Sequence, residues 1–277
     1  MHGKQIDSLL AGARHGRVTI RNFRVALPEL YRQLSVDRGS IALESWGLCS
    51  NFDQEAAARI VDRKLLTLIG RIVRCPIRIE RAYHAGLMCT YGYLLSNLGT
   101  PAGFKHDRWT SGRLESGLGL PAGTLLGGNG RSTLLQNVTA LFLGLIGQDE
   151  NLSELHDVDA TIFDLVSRTN HKSKWEFRIV ESIEIQGGCR YELNSYLCPL
   201  ESEDSDFHTL LIYSVTVGDA PPQLITGFPI SKASLDALLD RDCFGIARAI
   251  GPCYGSIIPG FPAEGFGSRE LISRTVA

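Results

Sequence analysis

From Lys174 onward the apolar residues stop recurring at helical intervals and begin to alternate, and this change limits the possible folds more than any other feature of the chain. Residues 175–186, WEFRIVESIEIQ, then Gly187–Gly188, then residues 189–197, CRYELNSYL, read as two strands joined by a tight turn. Two registers compete. A turn made of Gly187–Gly188 alone sets Ile185 opposite Arg190, Ile183 opposite Glu192 and Ile179 opposite Tyr196, which mixes polar residues into the apolar face. A loop of Gln186–Gly187–Gly188 with Gly188 left-handed pairs Ile183 with Tyr191, Phe177 with Leu197 and Glu184 with Arg190. A slip of one position turns a strand over, so the register that gives one apolar face is expected. The other face, with Arg190, Glu192, Asn194 and Tyr196, is then expected to be exposed. Covered by a helix or a lid, it would form a polar floor suited to a carboxylate or an amide, with Arg190 as an anion contact.

The strand pattern continues beyond the hairpin. FHTLLIYSVTV (207–217) is apolar on both faces and predicts a central strand, QLITGFPI (223–230) predicts a fourth, and Ser231 caps a helix reaching Leu239. The Gly- and Pro-rich tail is expected to be irregular apart from a short strand at 254–258.

The first half reads differently. Residues 4–13 predict a short helix and Val18–Ile20 a short strand; residues 38–48 and IRIERAY (77–83) also alternate like strands. Asn51 or Asp53 predicts the cap of a helix through Val73, whose Ala57, Ile60, Val61, Leu65, Leu68 and Ile69 mark one buried face. Trp109–Ser116 predicts a helix, and the glycines of residues 117–130 an irregular connector. Further helices are expected from Ser132 to Leu145 and from Asp157 or Asp159 to about Thr169. The expected class is α+β. Residues 1–170 form a mainly helical half, whose helices cover an antiparallel sheet built from a hairpin-rich half, residues 171–277; the two halves can share one core.

Composition excludes some functions. Hydrophobic residues make up 44% and charged residues 21%, as in ordinary globular chains, and the net charge of −2 gives no basic face for nucleic acid or an anionic membrane surface. The longest apolar run, Val138 to Ile146, is far short of the roughly 20 residues a spanning helix needs. No secretory segment is expected from the N-terminal residues. Seven cysteines with no CxxC pair predict free thiols in a reducing, cytoplasmic compartment.

Candidate chemistry gathers in residues 84–113, HAGLMCTYGYLLSNLGTPAGFKHDRWTSGR. His106 is the expected general acid/base, because imidazole changes charge near neutral pH. Asp107 and Tyr91 complete the catalytic set, with Tyr91 as an auxiliary acid or hydrogen-bond donor. Lys105 and Arg108 would hold an anionic group, Arg bidentately, against a wall of Tyr93 and Trp109. The bland alternative is a solvated turn with Asp107 capping a helix.

Other motifs are weaker. Gly127–Thr133 opens a helix and could bind an anion with Arg131, but it lacks the lysine and first glycine of a phosphate loop. Gly251–Pro252–Cys253–Tyr254–Gly255 resembles a nucleophile elbow only in spacing, since no His follows His208. Neither HExxH nor paired CxxC occurs, so no metal is expected. His84, Cys89 and His106, or His156, Asp157 and Asp159, are the scattered groups that would have to converge for one. No strand–helix alternation surrounds the glycines at 117–123, so no dinucleotide cofactor is expected.

The expected function is therefore a cofactor-independent enzyme, a hydrolase, lyase or isomerase acting on a small anionic metabolite, with a biosynthetic tailoring role and a homo-oligomeric state both compatible. The rival is a non-catalytic ligand- or protein-binding protein. A thiol hydrolase would need a cysteine within reach of a histidine.

Overall fold

The computed structural model describes residues 7–9, 11–12, 15–39, 52–53, 58–59, 63–74, 87–100, 103–126, 132–147, 160–168, 175–185, 189–201, 208–219, 223–239 and 268–273. Among them, in chain order, lie α1 (Ile20–Ala26), α2 (Pro28–Val36), β1 (Phe52–Asp53), β2 (Ala58–Arg59) and α3 (Arg63–Val73). A π-helical turn (Leu87–Gly92), β3 (Gly99–Thr100), β4 (Gly103–Phe104) and a 3-10 turn (Lys105–Arg108) follow, then α4 (Arg113–Gly117), α5 (Leu134–Ile146) and α6 (Ala160–Arg168). The rest is β5 (Phe177–Ile185), β6 (Cys189–Pro199), β7 (Thr209–Val217), β8 (Gln223–Ile230), α7 (Lys232–Leu239) and β9 (Ser268–Ser273).

The class is α+β. Five strands form one antiparallel sheet in the order β8-β7-β6-β5-β9. The hairpin adopts the register that alternation requires: Ile183 pairs with Tyr191, Phe177 with Leu197 and Glu184 with Arg190. β7 is interior, between β6 and β8, as its two apolar faces predict, and Leu210, Leu211, Ile212 and Tyr213 are all buried. β9 was not expected; the strand expected at 254–258 lies outside the described residues.

One expectation about the sheet is corrected. The face bearing Asn194 and Tyr196 is covered: those residues are 1% and 4% exposed, as deeply buried as Leu193 and Leu197 on the opposite face. The covered part is the middle of β6, where Trp175 packs edge-on against the Tyr196 ring, whereas Arg190 near the hairpin end stays exposed. The polar groups tolerate this by pairing with one another, Arg178 donating to both Asn194 and Glu192.

The helices depart further from the sequence pattern. Residues 20–26 form α1, where Val18–Ile20 predicted a strand; the Thr19 hydroxyl accepts from the Asn22 N–H and caps the helix. α2 starts at Pro28, suited to a first turn, and buries Leu30 and Leu34, one helical turn apart. The helix expected from Asn51 or Asp53 begins only at Arg63, because Phe52–Asp53 pairs with Ala58–Arg59 as a short ribbon. α3 buries Leu65, Leu68 and Ile69 as predicted, while Ala57, Ile60 and Val61 and the strands expected at 38–48 and 77–83 fall largely or wholly outside the described residues. The helix expected over Trp109–Ser116 is divided. Gly112, at φ 75°, interrupts a right-handed helix, so a 3-10 turn precedes it and α4 follows.

α5 is capped by Thr133 rather than Ser132, in a reciprocal capping box with Gln136. The helix is almost wholly buried. It approaches α6 so closely that a Cβ on Gly144 would lie 2.9 Å from Val166, and it approaches β8 so closely that one on Gly227 would overlap the Phe142 ring. Buried apolar side chains from both sides of residue 170 thus belong to one continuous core.

Candidate functional site

The 3-10 turn is what arranges Lys105–Arg108. In such a turn residues three apart eclipse, so Lys105 and Arg108 project on one side. Both lie over the Tyr93 ring, with Nζ of Lys105 5.3 Å and the Arg108 guanidinium carbon 4.4 Å from its centroid. The Phe228 ring is a further neighbour of the guanidinium, at 5.8 Å. These aromatic faces hold the cation without neutralising it. Among the described residues the Arg108 Nη1 is buried and meets no hydrogen-bond acceptor.

His106 lies about a third of a turn away. Its Nδ1 is 3.1 Å from the Ser96 carbonyl and its Nε2 2.9 Å from Asp107 Oδ1, and Phe104 stacks on the ring. The imidazole is half-buried, at 34%. Both neighbours are pure acceptors, so both contacts exist together only when the ring carries two protons. A neutral ring gives up one contact and exposes a lone pair.

Tyr91 is directed elsewhere. Residues two apart on a helical turn do not share a face, so Tyr93 meets the cations while Tyr91 enters the core. The Tyr91 hydroxyl donates to Asp37 Oδ2, and the Thr133 hydroxyl donates to Asp37 Oδ1 at 2.7 Å. Gln33 Oε1 accepts from the Leu134 N–H at 3.1 Å, so the end of α2 holds the start of α5 by two side chains. Burial first, and then the Asp37 carboxylate, push the Tyr91 phenol well above its ordinary range. Trp109 is also a core residue, 1% exposed and packed against Phe142.

The glycine-rich connector is fixed by a similar device. Buried Glu115 accepts from the Leu125 N–H at 3.1 Å, and Asn137 Nδ2 donates to the Leu125 carbonyl at 2.6 Å. Arg131 and residues 127–130 of the expected anion nest lie outside the described residues, as do Cys253 and the groups at 84 and 156–159; the side chain of Cys89 is likewise not described. Arg190 is 64% exposed, and among the described residues its guanidinium meets Glu192, at 3.4 Å. Cys198 is fully buried, and burial pushes its thiol far above the ordinary range, the mark of an inert packing thiol.

The structure therefore joins Lys105, His106, Asp107, Arg108 and Tyr93, and takes Tyr91 and Trp109 into the interior. Sequence reasoning missed Asp37, Glu115 and Arg178. Arg178 was within reach, because the register that sets Phe177 opposite Leu197 also sets Arg178 opposite Tyr196. Among the described residues no helix is long and apolar enough to cross a membrane. No protein-family model matches this chain, and neither a curated protein nor a solved structure matches it.

Proposed function

We propose that the chain binds a small anionic metabolite at Lys105 and Arg108 and acts on it by proton transfer through His106, as a hydrolase, lyase or isomerase with no nucleotide cofactor. The observation that supports this most is the buried Arg108 Nη1, which meets no acceptor among the described residues and lies beside a second cation on the same aromatic ring. A bound carboxylate or phosphate oxygen supplies that acceptor. His106 gives up a proton as it breaks its Asp107 contact and takes one as the contact re-forms; Asp107 holds the ring between these states. Tyr93 keeps the two cations in place. The free-thiol reading of the cysteines supports a cytoplasmic setting.

The experiment is to incubate the chain with a mixture of small anionic metabolites and follow depletion by mass spectrometry. His106→Ala is expected to slow the turnover found by roughly 100-fold or more, in line with loss of a general acid/base, with Lys105→Ala and Arg108→Ala raising the concentration required. Turnover left intact by all three changes would end this assignment.

A non-catalytic binding protein is the second reading. It is favoured by the engagement of both His106 ring nitrogens, which leaves no lone pair poised for a substrate. In that case Arg108→Ala abolishes binding and His106→Ala leaves it unchanged.

A further inference from the structure

The overall charge of −2 hides an uneven distribution along the chain. Residues 8–28, SLLAGARHGRVTIRNFRVALP, hold four arginines and no acid. Arg17, Arg21 and Arg24 of this stretch are all exposed, and Lys64 of α3 stands beside it, its Nζ 3.4 Å from the place a Cβ on Gly16 would take. The acids of residues 1–39 are engaged elsewhere. Asp7 accepts from Asn97 Nδ2 at 2.9 Å, Glu29 is held by Arg32 and Gln33, and Asp37 is buried with Tyr91 and Thr133. Among the described residues Arg17, Arg21 and Arg24 form no ion pair; Arg24 lies over the Tyr31 ring, 5.7 Å from its centroid.

α1 presents this charge together with apolar surface. Phe23 is its one buried residue. Residues four apart share a helix face, so Arg21 stands beside Val25, opposite Phe23, and Arg24 beside Ile20 flanks them. Val25 is 77% exposed and Ile20 39%. Single apolar residues on a surface are ordinary, but here each stands one turn from an arginine, a combination suited to a helix lying at the headgroup boundary of a bilayer. A nucleic acid would gain from the arginines and not from the valine. Asn22, the side chain of α1 best suited to reading a base, is already engaged: its Oδ1 accepts from the Thr19 hydroxyl and its Nδ2 donates to the Arg17 carbonyl.

We propose that the exposed face of α1 is a docking surface for a membrane that carries anionic lipid. Arg17, Arg21 and Arg24 meet the charged headgroups, and Val25 and Ile20 enter the boundary beneath them, with the helix parallel to the membrane plane. Outside residues 8–28 the chain is net negative, so an anionic surface draws in the α1 side first. The surface uses none of the residues around Arg108, so it stands whether or not the function proposed above holds.

The test is co-sedimentation of the full chain at low salt with vesicles of equimolar phosphatidylserine and phosphatidylcholine, and with vesicles of phosphatidylcholine alone. The chain is expected to bind the first and not the second, and Arg108→Met is expected to do the same. An arginine close to an anionic surface contributes about fivefold, so Arg17→Gln, Arg21→Gln and Arg24→Gln together should weaken binding about 100-fold. Val25→Gln separates a membrane from other polyanions. It should weaken vesicle binding about fivefold or more, through lost apolar burial, and leave any capture by a DNA duplex unchanged. No binding to the anionic vesicles, binding that the triple variant retains, or Val25→Gln binding like the parent would each overturn the proposal; the last, with tight duplex binding, would give this face to a nucleic acid instead.

Discussion

Tyr91 and Tyr93 stand two positions apart and serve different parts of the molecule, one bonded to the buried Asp37 carboxylate and the other carrying two cations. The sequence presents them as one aromatic wall; only the helical turn separates them. Nothing in the sequence links Tyr91 to Asp37, which is 54 positions earlier. Replacing Tyr91 with Phe leaves a buried carboxylate short of a donor. The expected cost is about 1–3 kcal/mol, read from urea unfolding. The phenol also sets a pH dependence. Its folded-state pKa is raised, so above about pH 10 the unfolded chain releases a proton that the folded chain keeps, and stability falls as pH rises through that range. Tyr196, raised chiefly by its own burial, acts in the same direction, so Tyr91→Phe is expected to lessen the alkaline loss without removing it.

At the level of elements, the sheet was far more legible than the helices. Alternation has a period of two, and a wrong register would have put Arg190 and Glu192 among the isoleucines, so the hairpin pairing followed from pattern alone. The segment before Arg63 misled for the opposite reason. Its alanines and glutamate favour a helix, but that preference is weak, and the Phe52–Arg59 ribbon overrides it. The burial of Asn194 was illegible because a strand's pattern does not state what covers its polar face. The contact of α5 with β8 gives a direct check. Gly227→Ala drives a methyl group into the Phe142 ring and should cost about 1–3 kcal/mol. A smaller partner, Phe142→Leu, should recover part of that loss in the double variant, so a cycle of thermal unfolding measurements that showed simple additivity would place the two elements apart.

Across the whole molecule, the core is continuous from the N-terminal helices to the sheet, and charged or polar side chains recur inside it where distant segments meet. Asp37 joins α2 to α5, Glu115 fixes the glycine-rich connector, and Arg178 ties β5 to β6. Each of these is satisfied within the protein. Arg108 is different, because its aromatic neighbours supply no acceptor, and the functional account depends on that difference. The most direct measurement is the heat of binding of phosphate and of succinate to the full chain and to Arg108→Met, at low and at physiological salt. The account predicts saturable binding of at least one of these anions, weakened about tenfold or more in Arg108→Met and only modestly reduced by salt, because the guanidinium is half-buried. Equal binding by both proteins, or no binding by either, would contradict it.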